Sequence, residues 1–353
     1  MLNNNCTTPV LILGGQTNAL AVARGFGRQN IPVYISAYTF CHAQFSKFCI
    51  DAYLCDPKMS IGDYWYHLLF KKRPAALQNA FIFPCSDEAL AFMSENKDEI
   101  IKSYNTYEYD SFLIKQLLNK QKTIDLAIQA GVPAPKYWHI NSASDLKEIQ
   151  DLAFPVMIKP KYTHVFIKVF RVKLVTADNW VVLNKWIKKI LALKIEVMLC
   201  EIIPGPDTLL SSYYTYITPD GKNLFRYTKR VIRRKPINYG GGCYHISKWE
   251  PDTAAMGEKF FRFVKLKGLG NIEFKYDTRD KKLKIIESNL RLTAAHQLLI
   301  KSHYDIGYAI YAYHNNLNYS LQEPFLENIR LWYPFEDIRA FIEPVSYTHL
   351  TLP

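Results

Sequence analysis

Three oxygen-bearing side chains late in the chain, Glu273, Glu287 and Asn289, have the types and spacing of a cation site. Residues 270–276 and 282–287 alternate apolar and polar character around Asp277-Thr278-Arg279-Asp280, which predicts two antiparallel strands joined by a turn. Side chains two apart on a strand share a face, so Asn289 lies on the side of Glu287, and Glu273 can face both from the neighbouring strand. Hard divalent cations take oxygen ligands. Mg²⁺ usually joins one or two carboxylates to nucleotide phosphates, so the trio suits a nucleotide-metal site better than a zinc or calcium cage. Glutamates on a hairpin are also common as solvated residues, and the trio alone leaves both readings open.

A lysine supplies the next candidate. Lys159 ends the apolar run 154–159 (FPVMIK) and precedes Pro160, so an ammonium emerges from an extended, buried segment and needs an anion nearby. A salt bridge at a sheet edge would satisfy it equally well. Gly14-Gly15-Gln16-Thr17-Asn18 could present amides to an anion at a strand-to-helix turn, yet it lacks a full G-x-G-x-x-G and any Gly-Lys-Ser/Thr. His245, His296 and His303 have no Ser or Cys nucleophile signature near them, and no His-Glu-x-x-His occurs.

The elements that must position these groups alternate early and change character later. An apolar strand at 9–13, a small-residue helix at 19–26 and strands at 33–35 and 81–83 predict a parallel sheet covered on both faces over roughly the first hundred residues. A helix over 88–102 is capped by Ser86 or Asp87. Helical spacing over 110–129 stops at Gly131-Val132-Pro133-Ala134-Pro135. Strands are predicted at 154–159, 165–175 and 197–199 with a helix at 179–193, forming a smaller α+β unit. The Asp220-Gly221 turn predicts a further hairpin from 211–217 and 223–227.

Size and composition bound the whole. The chain has 353 residues, 49% apolar and 22% charged, which fits two or three packed units and excludes a chain disordered by composition. A net charge of +12 favours a partner or substrate carrying negative charge. Seven cysteines without a Cys-x-x-Cys pair indicate neither a disulfide framework nor a zinc ribbon, and a reduced cytoplasm is the expected setting. No uncharged apolar stretch reaches the ~18 residues that span a bilayer. Residues 344–353 read as a translated cloning scar and are expected to be non-native.

In chain order, Lys120 with the 131–135 turn, residues 154–159, residues 201–207 (EIIPGPD) and residues 287–291 (ESNLR) resemble the ATP-grasp superfamily. Within it the chain looks most like the ATP-dependent carboxylate-amine ligases, with D-aspartate ligase, biotin carboxylase and carbamoyl phosphate synthetase as more distant relatives. The resemblance implies a Rossmann-like pre-ATP-grasp domain at 1–110, a small lobe at 111–200 and a large lobe with the metal site at 201–343. It further implies that Lys120 and Lys159 hold ATP phosphates and that Glu201 to Ile203 read adenine. Asp207 would accept the ribose hydroxyls. Glu273, Glu287 and Asn289 would carry Mg²⁺, with Mn²⁺ as an alternative, and Arg291 would steady the transferring phosphoryl group.

Two departures qualify that resemblance. The segment 161–168 has no glycine where many members carry a glycine-rich flap, and Lys168 is the substitute phosphate ligand it offers. Asn289-Leu290-Arg291 replaces Asn-Pro-Arg. Arg233, ahead of Pro236 and Gly240-Gly241-Gly242, matches a segment near the acceptor site. The implied partners are a small-molecule carboxylate and amine, with a homodimer allowed and neither nucleic acid nor membrane expected. The rivals are a nucleotide-binding protein without catalysis and a basic nucleic-acid-binding protein, whose stacking aromatics would have to come from residues that sit inside apolar runs.

Overall fold

The computed structural model describes residues 8–149, 152–172, 174–237 and 240–349. It opens with strands β1 (Val10–Leu13), β2 (Val33–Ala37), β3 (Cys49–Leu54) and β4 (Phe81–Pro84), all parallel in the order β3-β2-β1-β4. β1 is buried on both faces, as a continuous apolar run in a covered parallel sheet must be. The turn after it closes tightly. Gly14 and Gly15 adopt φ +68° and +85°, and a side chain at Gly15 would meet the Cys85 Cβ at 2.6 Å. The Gln16 amide donates to the Asn18 side chain at 2.9 Å rather than standing open to an anion.

A second sheet forms the small lobe from β5 (Tyr137–Ile140), β6 (Val156–Pro160), β7 (Val175–Ala177) and β8 (Val197–Glu201), antiparallel throughout in the order β5-β8-β6-β7. Its core is its own. Val156, Ile158 and Leu199 of the sheet pack with Phe166, Leu183 and Ile187 from two covering helices, Thr163–Phe170 and Trp180–Ala192. The first of these helices corrects the strand expected over 165–175. The β-branched residues there favour a strand locally, but Phe166 and Phe170 lie one helical turn apart, 4.5 Å between ring centroids, and burying that pair against the lobe core decides the outcome.

The third sheet is the largest: β9 (Leu210–Ile217), β10 (Asn223–Lys235), β11 (Gly241–Ser247), β12 (Gly268–Asp277), β13 (Lys282–Asn289) and β14 (Arg330–Trp332), in the order β13-β12-β9-β10-β11-β14. Both hairpins read from the sequence are present, β9–β10 and β12–β13. One core joins this sheet to the first, through Tyr107, Phe83, Tyr216 and Leu290 among others. The segment expected as one helix over 110–129 is two, Ser111–Leu118 and Lys120–Gln129, because the Asn119 side chain caps the second by accepting from the Gln121 and Lys122 amides. Residues Leu113, Leu117 and Ala127 of this pair pack into the main core, so the separate small-lobe core takes up only from about Ile140 onward.

Candidate active site

The β12–β13 register sets Glu273 opposite Glu287 and Asn271 opposite Asn289. Both pairs therefore share one face. Buried Asn271 donates to the Tyr213 carbonyl at 3.1 Å and accepts from the Asn289 amide nitrogen at 3.4 Å, which leaves the Asn289 Oδ1 as the group it can offer a cation. Among the described residues no three or more His, Cys, Asp or Glu gather to hold a metal unaided. Two carboxylates and an amide are an incomplete oxygen shell of the kind Mg²⁺ shares with phosphates and water, so the donor set fits that ion.

Two cations stand near this face, Lys120 from another part of the chain and Arg291 from just past β13. Capping by Asn119 makes Lys120 the first residue of its helix, and its Nζ reaches the Glu287 carboxylate at 3.4 Å. Arg291, just past β13, pairs with Asp87 at 2.6 Å across 204 residues of sequence. Asp87 opens the helix Asp87–Glu95 beyond β4, so the parallel domain supplies a carboxylate that the sequence reading assigned only as a helix cap. Burial opposes charge on Arg291, and Asp87 more than offsets it, holding the guanidinium above its ordinary pKa. Asp87, Lys120, Glu287 and Asn289 line one narrow cleft.

The remaining candidates are placed less uniformly. The side chain of Lys159, half-buried on β6, has no hydrogen bond or ion pair among the described residues. Glu201 ends β8, where its carboxylate accepts from the Lys136 amide at 3.0 Å and from Arg279 at 2.6 Å. The Ile203 carbonyl accepts from Lys275 Nζ at 2.9 Å, a lysine that burial pulls down to about 8. Asp207 is buried and already engaged, since Arg234 donates to it through its backbone N–H and Nε, each at 2.9 Å. Arg233 Nη1 binds Asp337 at 2.8 Å, which ties it to the helix Pro334–His349. The side chain of Lys168 lies outside the described residues.

Sequence reasoning passed over a polar row on the same face. Register places Ser212 beside Glu273 and Lys229 beside Ser212. Lys229 is fully buried with its Nζ 3.0 Å from Ser212 Oγ; burial lowers its pKa while Glu273 opposes that shift. His245, one strand further on, is pulled to about 3 by burial and by Lys229 against a smaller opposing pull from the Gly242 backbone, so it is neutral. The only available signal was alternation along 223–235, where a lysine at an inward position reads like any strand residue.

Comparison with solved structures decides the fold. The structure matches biotin carboxylase from Campylobacter jejuni in complex with a β,γ-ATP analogue at TM-score 0.66 and 15% identity, covering 91% of this chain and 74% of that one. The chain has the ATP-grasp fold. An ADP complex of N5-carboxyaminoimidazole synthetase from Staphylococcus aureus matches this ATP-grasp chain at TM-score 0.64 and 14% identity, covering 91% and 80%. L-amino acid ligase from Bacillus licheniformis matches at TM-score 0.61 and 14% identity, covering 88% and 74%. By sequence, D-aspartate ligase of Enterococcus faecium (strain Aus0004) is 23% identical over 226 residues, 60% of this chain. The match spans about half of that enzyme, 52% of its length. No protein-family model matches the chain.

Proposed function

We propose that this ATP-grasp protein is a ligase that joins a carboxylate to an amine through an acyl phosphate, releasing ADP and phosphate. The observation that carries the reading is the cleft lined by Asp87, Lys120, Glu287 and Asn289, with Glu273 set opposite Glu287 by strand register and Arg291 paired with Asp87. Mg²⁺ held by that trio would supply charge neutralisation at the phosphate oxygens. Lys120, released from Glu287, and Lys159, reaching in from β6, bind phosphate oxygens as charge-assisted donors. Glu201 to Ile203 take the adenine, and Arg291, fixed in direction by Asp87, steadies the group in transfer.

The chemistry needs positioning more than a protein nucleophile. A substrate carboxylate oxygen attacks the γ-phosphorus as the bond to ADP breaks; the amine then attacks the acyl carbon and phosphate leaves. Arg233 stands at the acceptor side of this scheme. The name of the Enterococcus relative makes D-aspartate the first substrate to try. The reading is tested by measuring ADP and phosphate release with ATP, Mg²⁺ and a grid of carboxylic acids crossed with amines. Release that needs both organic partners supports it, and ATP bound without turnover on any pair would leave a binding protein instead.

A further inference from the structure

Positive charge is unevenly spread along this chain. Residues 161–194 carry eight Lys or Arg against the single Asp178, a surplus of seven out of the total of +12. That segment builds the two helices covering the small lobe. Helix Trp180–Ala192 turns Leu183, Ile187 and Ile190 inward, which sends Val181, Lys185 and Lys188 to the opposite, exposed side. Helix Thr163–Phe170 buries Phe166 and leaves Val165 and Val169 exposed.

The two helices are neighbours. Phe170 meets Trp186 edge-on at 5.8 Å, and Lys189 lies 5.4 Å over each of those rings, so the helices are joined side by side. Apolar exposure on these helices is high for lone valines on a folded surface: Val169 is 49% exposed and Val181 79%. Trp180 stands at the start of the second helix, 40% exposed.

We infer that this outer face of the small lobe docks on an anionic phospholipid membrane surface. Lysines flanking protruding apolar side chains match a bilayer whose headgroups are negative and whose interior begins a few ångströms below. Charge complementarity alone would also suit nucleic acid, but aliphatic valines neither stack on bases nor bind phosphate, whereas they gain by entering the acyl boundary. A tryptophan at the rim belongs at the headgroup level. Crossing the bilayer is not involved: among the described residues no helix is long and apolar enough to span it.

The test is sedimentation of the purified chain with phosphatidylcholine vesicles and with vesicles containing about 30% phosphatidylglycerol, at low and high salt. Binding to the anionic vesicles only, weakened by salt, is expected. A Lys185→Glu, Lys188→Glu double variant and a separate Val169→Ser, Val181→Ser variant should each lower the partition coefficient roughly tenfold, with circular dichroism and melting temperature unchanged. Trp180→Phe should remove the blue shift of fluorescence that accompanies binding. No preference for anionic vesicles, or binding that the valine variant leaves intact, overturns the proposal. Retention on RNA or DNA that depends on the lysines but not on the valines would overturn it in favour of nucleic acid.

Discussion

The β12–β13 hairpin and the segment following Lys159 would both surround the same phosphates, yet they are built in opposite ways. On the hairpin, backbone register fixes Glu273 against Glu287, and Asn271 orients Asn289, so the donors are set before any ligand arrives. After Lys159, the chain offers no glycine turn and instead forms the helix Thr163–Phe170, packed through Phe166 into the lobe core. Among the described residues the Lys159 side chain has no ion pair, and a helix follows it where the resemblance implies a flap. Under the proposed function, preorganisation lies on the hairpin, and the sheet that carries Lys159 contributes one point charge.

If that division holds, Glu287→Gln should be the most damaging change, lowering turnover on the order of 100-fold or more while circular dichroism stays native. Near-normal rates would remove the hairpin from the chemistry. Lys159→Ala should come next, weakening ATP affinity by calorimetry about tenfold or more, the scale of a lost charge-assisted hydrogen bond. Lys120→Ala should cost less in affinity than Lys159→Ala, because ATP binding no longer has to break the Lys120 to Glu287 pair. An equal loss would show that this pair does not oppose binding.

Asp207 separates structure from recognition. Its pair with Arg234 is almost wholly buried, so Asp207→Ala should lower stability to urea by about 3 kcal/mol through loss of that buried pair. A variant that melts normally but loses ATP affinity would restore Asp207 to the ribose. The smallest effect belongs to the interface between the parallel domain and the large sheet. There burial pushes Glu108 up, but hydrogen bonds from His314 and Tyr216 win and bring it down to about 2. A carboxylate depressed in the folded state stabilises above its unfolded pKa and loses that contribution as pH falls toward about 2. Glu108→Gln should therefore flatten the acid side of the stability profile between roughly pH 4.5 and 2.

What was legible in the sequence was local. Alternation around Asp277 to Asp280 fixed the hairpin and with it the Glu273, Glu287 and Asn289 face, and the apolar run before Gly14 fixed β1. Residues 165–175 misled because β-branched side chains state a local preference that a distant aromatic core overrides. Partners far apart in sequence were invisible for a different reason: nothing near Arg291 points to Asp87, and nothing near Asp207 points to Arg234. Lys229 and His245 looked like ordinary strand residues until register set Lys229 beside Ser212, the neighbour of Glu273, and His245 opposite Val231 on the next strand.

The proposed function requires the cleft to activate a carboxylate by phosphorylation. With ATP, Mg²⁺, an amine and a carboxylate labelled with oxygen-18, mass spectrometry of the released phosphate tests it directly. One labelled oxygen carried into phosphate for each product formed, alongside ADP, is the predicted result. Label retained wholly in the product and AMP, or release of AMP and pyrophosphate in place of ADP and phosphate, would contradict it.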